Sequence, residues 1–253
     1  MKNLTKKLTL VTGVGRREGI GFAICREIAK RGGDIFFTYW HQYDQVTFPK
    51  TKDDNPVDFI KELEQFGVKV GSSEIDLSQP GSAEFLFEKV KEMGIPDFLI
   101  NNACYDIEVP FLELTAEILD KHYFVNVRVV TLLCKEFVKQ YQKKEGRKII
   151  NMTSGQSLGN MGSDKISYTI TKASIEMLTK QLASDFAERG INIYALDPGP
   201  TDTGWMTNDM KRQIERDSKR RRVNLPEDTA ELMCTILIDD KKYTTGEVIH
   251  AER

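Results

Sequence analysis

The chain has 253 residues, of which 40% are hydrophobic and 29% charged, and its formal net charge is -2. That is enough apolar material for a sizeable core in one large α/β unit, and the near-balanced charge argues against a dedicated polyanion binder such as a nucleic-acid protein. No apolar run has the length needed to cross a bilayer, and Cys25, Cys104, Cys134 and Cys234 lack metal-type spacing, as reduced cytoplasmic thiols do.

Along the chain, strand and helix patterns alternate. Leu8–Thr12 is a short β run that leads straight into a glycine loop, so the lysine-bearing N-terminus reads as a first strand and not as a signal peptide. Gly21–Arg31 carries Phe22, Ile24, Cys25, Ile28 and Ala29 at helical spacing and is stopped by Gly32-Gly33. Asp34–Trp40, "DIFFTYW", is a β-branched and aromatic second strand. His41–Pro56 is polar and irregular, and too long for an ordinary strand–helix connection, which marks it as functional or mobile. A helix over Val57–Phe66, a strand over Val68–Asp76, a helix over Ala83–Met93 and a strand over Phe98–Ala103 follow. Then come a long helix from about Ala116 to Gln142, a strand at Arg147–Ser154 and a helix at Ser167–Arg189. A strand at Ile191–Gly199, a helix at Glu227–Ile238 and a seventh strand within Gly246–Glu252 complete the pattern. Such alternation predicts α/β architecture: a doubly wound parallel sheet (Rossmann fold) of about seven strands with helices on both faces. No linker, repeat or low-complexity tract divides the chain, so residues 1–253 are expected to form a single domain.

Two constellations carry chemistry. In "VTGVGRREGIG" (Val11–Gly21), Gly13, Gly15, Gly19 and Gly21 lie between the first strand and the first helix, where bare backbone can approach a pyrophosphate at a helix N-terminus. In "SYTITKASIEML", Tyr168 and Lys172 are four residues apart and therefore neighbours on one helix face. A tyrosine titrates near 10, and an adjacent ammonium favours its phenolate and brings that value toward the working range. Ser154, at the carboxyl end of the fifth strand, is placed to orient a substrate carbonyl beside Tyr168. Ser157 and Thr153 are the other hydroxyls open to that role.

Thr12-Gly13 followed by Gly19-Ile20-Gly21 resembles the TGxxxGIG motif of the short-chain dehydrogenase/reductase family, with a loop two residues longer. The resemblance runs through essentially the whole chain, and it implies a single NAD(P)-binding domain over residues 1–253 with a substrate lid at about 203–225. Asp76-Leu77 matches the pair that contacts adenine in that family. Asn101-Asn102-Ala103 matches its NNAG stretch, with Cys104 in place of the last glycine. Asn126 matches the helix-four asparagine. Pro198-Gly199 with Thr201 and Thr203 matches the segment that holds the nicotinamide carboxamide, and Pro226-Glu227-Asp228 with Ala230 matches a late PEDxA pattern. The resemblance implies catalytic roles for Ser154, Tyr168, Lys172 and Asn126, the last holding a proton-relay water, with Lys172 also holding a ribose hydroxyl. The Ser154-to-Tyr168 spacing is one residue longer than the family's usual one. The enoyl-reductase branch uses a tyrosine seven residues before its lysine; here that position is Lys165, which disfavours the branch.

The second strand ends in Thr38, Tyr39, Trp40 and His41, with no carboxylate before Asp44 to take a ribose 2′-hydroxyl. Arg16 and Arg17 in the glycine loop are suited to a 2′-phosphate. The expected cofactor is therefore NADP(H) rather than NAD, held by Gly13, Gly15, Arg16, Arg17, Gly19, Ile20, Gly21, Tyr39, Trp40, Asp76, Leu77, Asn102, Ala103, Tyr168, Lys172, Pro198, Gly199, Thr201 and Thr203. Trp40 and Tyr43 are placed either to stack on the adenine or to cover the sheet edge. Cys104 is either redox-sensitive or a small apolar filler. The three histidines show no metal pattern.

"KRQIERDSKRRR" (Lys211–Arg222) has seven basic and two acidic residues. It reads first as a solvated helix face with pairs such as Lys211–Glu215 and Asp217–Arg221, and second as a basic cover for an acyl chain on coenzyme A or an acidic carrier protein. The resemblance thus implies an NADP(H)-dependent oxidoreductase that interconverts a carbonyl and an alcohol, with 3-oxoacyl-(acyl-carrier-protein) reductase as the nearest label. It also implies a small-molecule carbonyl or acyl-thioester substrate, no nucleic-acid or membrane partner and a cytoplasmic homodimer or homotetramer. The alternative of another class is a cofactor-binding regulator of the same fold with little turnover.

Overall fold

The computed structural model describes residues 4–48, 54–140, 146–159, 162–217, 221–239 and 242–251. Seven strands, β1 (Leu8–Val11), β2 (Asp34–Tyr39), β3 (Val70–Glu74), β4 (Phe98–Asn101), β5 (Arg147–Met152), β6 (Ile191–Asp197) and β7 (Val248–His250), form one sheet in the order β3-β2-β1-β4-β5-β6-β7. Every adjacent pair is parallel. This is the doubly wound, Rossmann-type sheet that the alternating pattern predicts.

Helices cover both faces because successive strand residues point to opposite sides. On one face Val11, Ile100 and Ile150 pack with α1 (Ile20–Lys30) and α9 (Pro226–Ile238) through Phe22, Ile24, Ile28, Met233 and Leu237. On the other, Leu10, Leu99 and Ile149 meet α4 (Ser82–Val90), α6 (Val129–Lys139) and α7 (Ile166–Ala187) through Leu86, Leu133, Phe137 and Ile175. Lys148 lies fully buried between the sheet and α9, where its ammonium donates to the carbonyls of Ile236 (2.7 Å) and Leu237 (3.0 Å). It satisfies helix-end carbonyls that would otherwise be orphaned.

A polar chain at the centre fixes α7 against the sheet. Asn101 Nδ2 donates to Asn151 Oδ1 at 2.8 Å, and Asn151 Nδ2 donates to Thr179 Oγ1 at 3.0 Å. Buried amides tolerate few arrangements, because each unmade hydrogen bond costs free energy. The chain therefore sets the register of the helix that carries Tyr168.

Three elements differ from the sequence pattern. Part of the region read as irregular is a helix, α2 (His41–Thr47), which precedes α3 (Pro56–Glu64); residues 49–53 lie outside the described residues. The long helix expected from Ala116 is two helices, α5 (Ala116–Tyr123) and α6, joined by a π turn at Phe124–Arg128. Asn126 lies in that wide turn, and its amide bonds the backbone of Tyr105 instead of continuing a regular surface. The expected end of that helix at Gln142 lies outside the described residues, as do Lys219, Arg220 and Glu252. The segment expected to act as a lid contains one described helix, α8 (Asn208–Asp217). No helix among the described residues is long and apolar enough to cross a membrane.

Candidate functional site

The strand order reverses between β1 and β4, so the loops after them part and leave a crevice at the carboxyl edge of the sheet. Thr12 ties the two walls together at its base. Its Oγ1 accepts from the backbone N–H groups of Asn102 (3.1 Å) and Ala103 (3.0 Å). Asn102 Nδ2 returns two bonds, to Thr12 O (2.9 Å) and Gly13 O (3.0 Å). Gly13 has φ +77°, and a Cβ there would lie 2.6 Å from Ala103 Cα. At Gly21, which with Ile20 opens α1, a Cβ would stand 2.5 Å from Gly13 O. Only glycine lets the turn and helix close this tightly. The N-cap of α1 is Gly19, whose lack of a capping side chain leaves the helix start bare. A bare helix start beside unshielded backbone suits a phosphate.

The two loop arginines go to different places. Arg17 turns outward. Its backbone N–H donates to Asp54 (2.8 Å), its guanidinium pairs with Glu62 (2.5 Å), and it lies 5.2 Å from the rings of both Phe22 and Phe59. Arg16 stays at the crevice. Its Nη1 donates to Thr203 O (3.1 Å), its Nε stands 3.8 Å from Asp44, and Phe48 lies 3.6 Å below its plane. The two extra loop residues thus reach the loop after β6, where Glu18 also leans against Gly204.

Helix α2 runs over the same opening. Tyr43 stacks near Tyr105 (5.6 Å), and its hydroxyl accepts from the N–H of Asp106 at 3.3 Å. Tyr43 therefore packs on the loop after β4. Tyr39 ends β2, and Trp40 caps the start of α2. Asp76 falls two residues beyond β3. Burial opposes its charge, but bonds from Ser78 and Gln79 prevail and hold its carboxyl below the usual range. Leu77 beside it is buried.

The residues expected to carry acid–base chemistry converge at the ends of β4 and β5 and on α7. The Ser154 hydroxyl, which accepts from Gln156 N at 3.3 Å, lies near enough to the Tyr168 phenol to favour its ionised form. Thr153 and Ser157 do not compete for that place, because both hydroxyls donate to Glu176, at 3.0 and 2.5 Å. Glu176 lies one turn beyond Lys172 on α7, and no motif in the sequence marks it. Lys172 is buried, donates to Met152 O at 2.9 Å and has its ammonium 5.4 Å from the centre of the Tyr168 ring. Burial holds the Tyr168 phenol well above its ordinary value, Cys104, Asp106 and Asp197 push the same way, and the Ser154 hydroxyl pulls against them. Desolvation thus outweighs the lowering expected from the Tyr–Lys spacing.

Asn126 is buried with its amide committed. Its Oδ1 accepts from Tyr105 N, and its Nδ2 donates to Tyr105 O (2.8 Å each) and to Thr171 Oγ1 (3.1 Å). Its side chain clamps the loop after β4 instead of facing open space. His122 supports the same loop: its Nδ1 meets Ile118 O at 2.8 Å, and its Nε2 accepts from Ile107 N at 3.3 Å. Cys104 Sγ donates to Tyr105 O at 3.6 Å, and burial pushes its thiol up, which is the behaviour of a neutral filler more than of a reactive thiolate.

The loop after β6 completes the rim. Gly199 N donates to Asp197 (2.9 Å), and Thr201 Oγ1 donates to Gly199 O (3.1 Å). Trp205 Nε1 donates to Thr201 O (3.1 Å), and Pro198 O accepts from Asn224 (3.3 Å). In the basic segment, Lys211 pairs with Asp202 rather than Glu215, Arg212 with Asp209, and Arg222 with Asp228.

The comparisons with known proteins agree with this geometry. Residues 13–253 match a family model described as enoyl-(acyl carrier protein) reductase. The chain is 35% identical over 255 residues to YjdA, an uncharacterized oxidoreductase of Bacillus subtilis, covering 100% of this chain and 98% of the relative. It is 28% identical over 254 residues to a 3-oxoacyl-[acyl-carrier-protein] reductase of Aquifex aeolicus, covering 98% and 96%. Among solved structures, a blue fluorescent protein from a metagenomic library in complex with NADPH superposes with a TM-score of 0.86 at 25% identity, over 99% of this chain and 98% of that one. The chain belongs to the short-chain dehydrogenase/reductase family of oxidoreductases.

Proposed function

We propose that this enzyme interconverts a carbonyl and an alcohol with NADP(H), using Ser154, Tyr168 and Lys172. The observation that carries the proposal is the meeting of Ser154, at the end of β5, with Tyr168 on α7 at the carboxyl edge, the Lys172 ammonium standing 5.4 Å from the centre of the phenol ring.

The crevice fits a dinucleotide on its own terms. Gly13 and Gly21 leave the turn without side-chain bulk, the start of α1 is bare, and Arg16 places a cation at the opening. Gly13, Gly15, Gly19, Ile20 and Gly21 would cradle the pyrophosphate, and Asp76 and Leu77 the adenine. Asn102, Ala103, Pro198, Gly199, Thr201 and Thr203 would line the nicotinamide half. Arg16 is the candidate for a 2′-phosphate, since Arg17 is engaged with Glu62 and Asp54. When bound, the nicotinamide supplies or accepts the hydride. Tyr168, protonated because burial holds its phenol up, gives its Oη proton to the carbonyl oxygen during reduction. Ser154 Oγ positions that oxygen by hydrogen bonding. Lys172 stabilises the phenolate left on Tyr168 and is placed to hold a ribose hydroxyl. Asn126 fixes the loop after β4.

Lys165, seven residues before Lys172, pairs with Asp106 and Glu108, so Tyr168 is the phenol of the Tyr–Lys pair and a carbonyl is favoured over an enoyl substrate. A 3-oxoacyl thioester draws support from the Aquifex relative, not from the basic segment, whose lysine and arginines named above are matched by acids. Exposed Ile170 and Met177 on α7 support a homodimer or homotetramer, and four free cysteines fit a cytoplasmic setting.

The test is a carbonyl panel run with NADPH and NADH. Tyr168→Phe should lower turnover by roughly 10²–10⁴-fold, the usual worth of a positioned acid, and leave NADPH binding intact. If the unmodified protein oxidises no NADPH with any carbonyl while binding it, the low-turnover regulator becomes the better description.

A further inference from the structure

Helix α2 brings a carboxylate into the crevice at the one loop cation that faces it. Asp44 lies so close to the glycine loop that a Cβ on Gly15 would come 1.8 Å from its Oδ2. The same side chain stands 3.8 Å from Arg16 Nε, and both are largely enclosed, with 17% and 15% of their side chains exposed. Phe48, just beyond α2, covers the other face of the guanidinium at 3.6 Å. Tyr43 anchors the helix on the far wall through Asp106 N. The helix is therefore held at both sides of the opening, with its acid on the phosphate-binding turn.

We propose that Asp44 is a specificity-determining residue that occupies the anion position of Arg16, so that a cofactor 2′-phosphate must take Arg16 from it. This rests on the NADP(H) reading of the crevice. The physical basis is that two anions cannot share one half-buried guanidinium without mutual repulsion, which is strengthened where water is scarce. Placement of the carboxylate already costs: burial pushes Asp44 up to about 6 despite Arg16, and burial likewise pulls Arg16 down. An internal acid held against its own solvation is one that a better-placed phosphate can displace. A hydroxyl at the ribose 2′ position has no such contest with Asp44, so the residue tunes one cofactor against the other.

The test titrates full-length protein with 2′,5′-ADP, 5′-ADP, NADPH and NADH by calorimetry. The variants are Asp44→Asn, Arg16→Met and the double change. Asp44→Asn should bind 2′,5′-ADP and NADPH roughly tenfold tighter, the scale of removing one like charge beside a bound phosphate, with 5′-ADP and NADH within about twofold. In the Arg16→Met background, where there is no guanidinium to contest, Asp44→Asn should gain clearly less than in the unmodified protein. Unchanged or weaker 2′,5′-ADP binding by Asp44→Asn overturns the proposal. So does selective loss of NADH and 5′-ADP, which would make Asp44 an acceptor for the ribose hydroxyl. If the unmodified protein prefers NADH but Asp44→Asn swings it toward NADPH, the cofactor assignment fails and the role of Asp44 stands. If it prefers NADPH and Asp44→Asn changes nothing, the assignment stands and this role fails.

Discussion

Gly13→Ala puts a number on how tightly the crevice is built. Two separate costs apply. A non-glycine residue at φ +77° loses about 1–2 kcal/mol to left-handed backbone strain. Its Cβ would also lie 2.6 Å from Ala103 Cα and 2.9 Å from Ala103 N, and backbone cannot rotate aside as a side chain does, so overpacking adds about 1–3 kcal/mol. Reduced freedom of the unfolded chain returns about 0.4–1 kcal/mol, leaving a central loss of about 3 kcal/mol. For a chain of this size that lowers the melting temperature by about 6–12 °C. Gly67→Ala is the control, because Gly67 has φ +78° but nothing within 4 Å of its Cβ position. It carries the backbone cost alone and should lose no more than about 1.5 kcal/mol. Urea unfolding of both variants, followed by circular dichroism, separates the two costs. Equal losses for Gly13→Ala and Gly67→Ala would refute the claim that close approach of the β4 loop is what demands glycine at position 13.

Three further outcomes follow from the site. Glu176→Ala should lower kcat on the order of tenfold with little change in KM, because it frees the Thr153 and Ser157 hydroxyls on either side of Ser154; Glu176→Gln keeps an acceptor and should recover most of the rate, whereas equal losses in both would point to a charge effect. The reduction rate at saturating cofactor should hold from about pH 6 to about pH 9, since burial raises the Tyr168 phenol and keeps it protonated; a fall centred near pH 7 contradicts the proton-donor role. The Asp44 carboxyl, raised to about 6 in the folded chain, binds a proton between about pH 4 and 6 that the unfolded chain has released. Folding stability should therefore decline as pH rises through that window, by at most about 3 kcal/mol. Urea midpoints of the unmodified protein and Asp44→Asn at both ends of the window test this, and parallel curves would contradict it.

Most of the architecture was legible because it is written in local periodicity. The apolar alternation of β1, β4, β5 and β6 and the helical spacing of Phe22, Ile24 and Ile28 declare a parallel α/β sheet without any long-range information. The breaks in pattern were harder. Nothing local distinguishes a continuous helix from α5 and α6 joined by a π turn, since the turn is stabilised by Asn126 reaching the Tyr105 backbone 21 residues away in the chain. Likewise α2 has no buried residue of its own and so no apolar stripe to announce it.

The site divides along the same line. The sequence by itself determined the chemical inventory: a glycine turn after the first strand, a hydroxyl at the end of the fifth, and a tyrosine and lysine one helical turn apart. Those follow from spacing along single elements. Only the tertiary structure sets Ser154 apart from Ser157 and Thr153, because Glu176 engages those two, and Arg16 apart from Arg17, because Glu62 and Asp54 claim the second. It alone brought Asp44 onto the glycine loop and set the phenol of Tyr168 by burial rather than by Lys172. Distances between elements, and the desolvation they impose, are properties of packing, and no spacing along the chain encodes them.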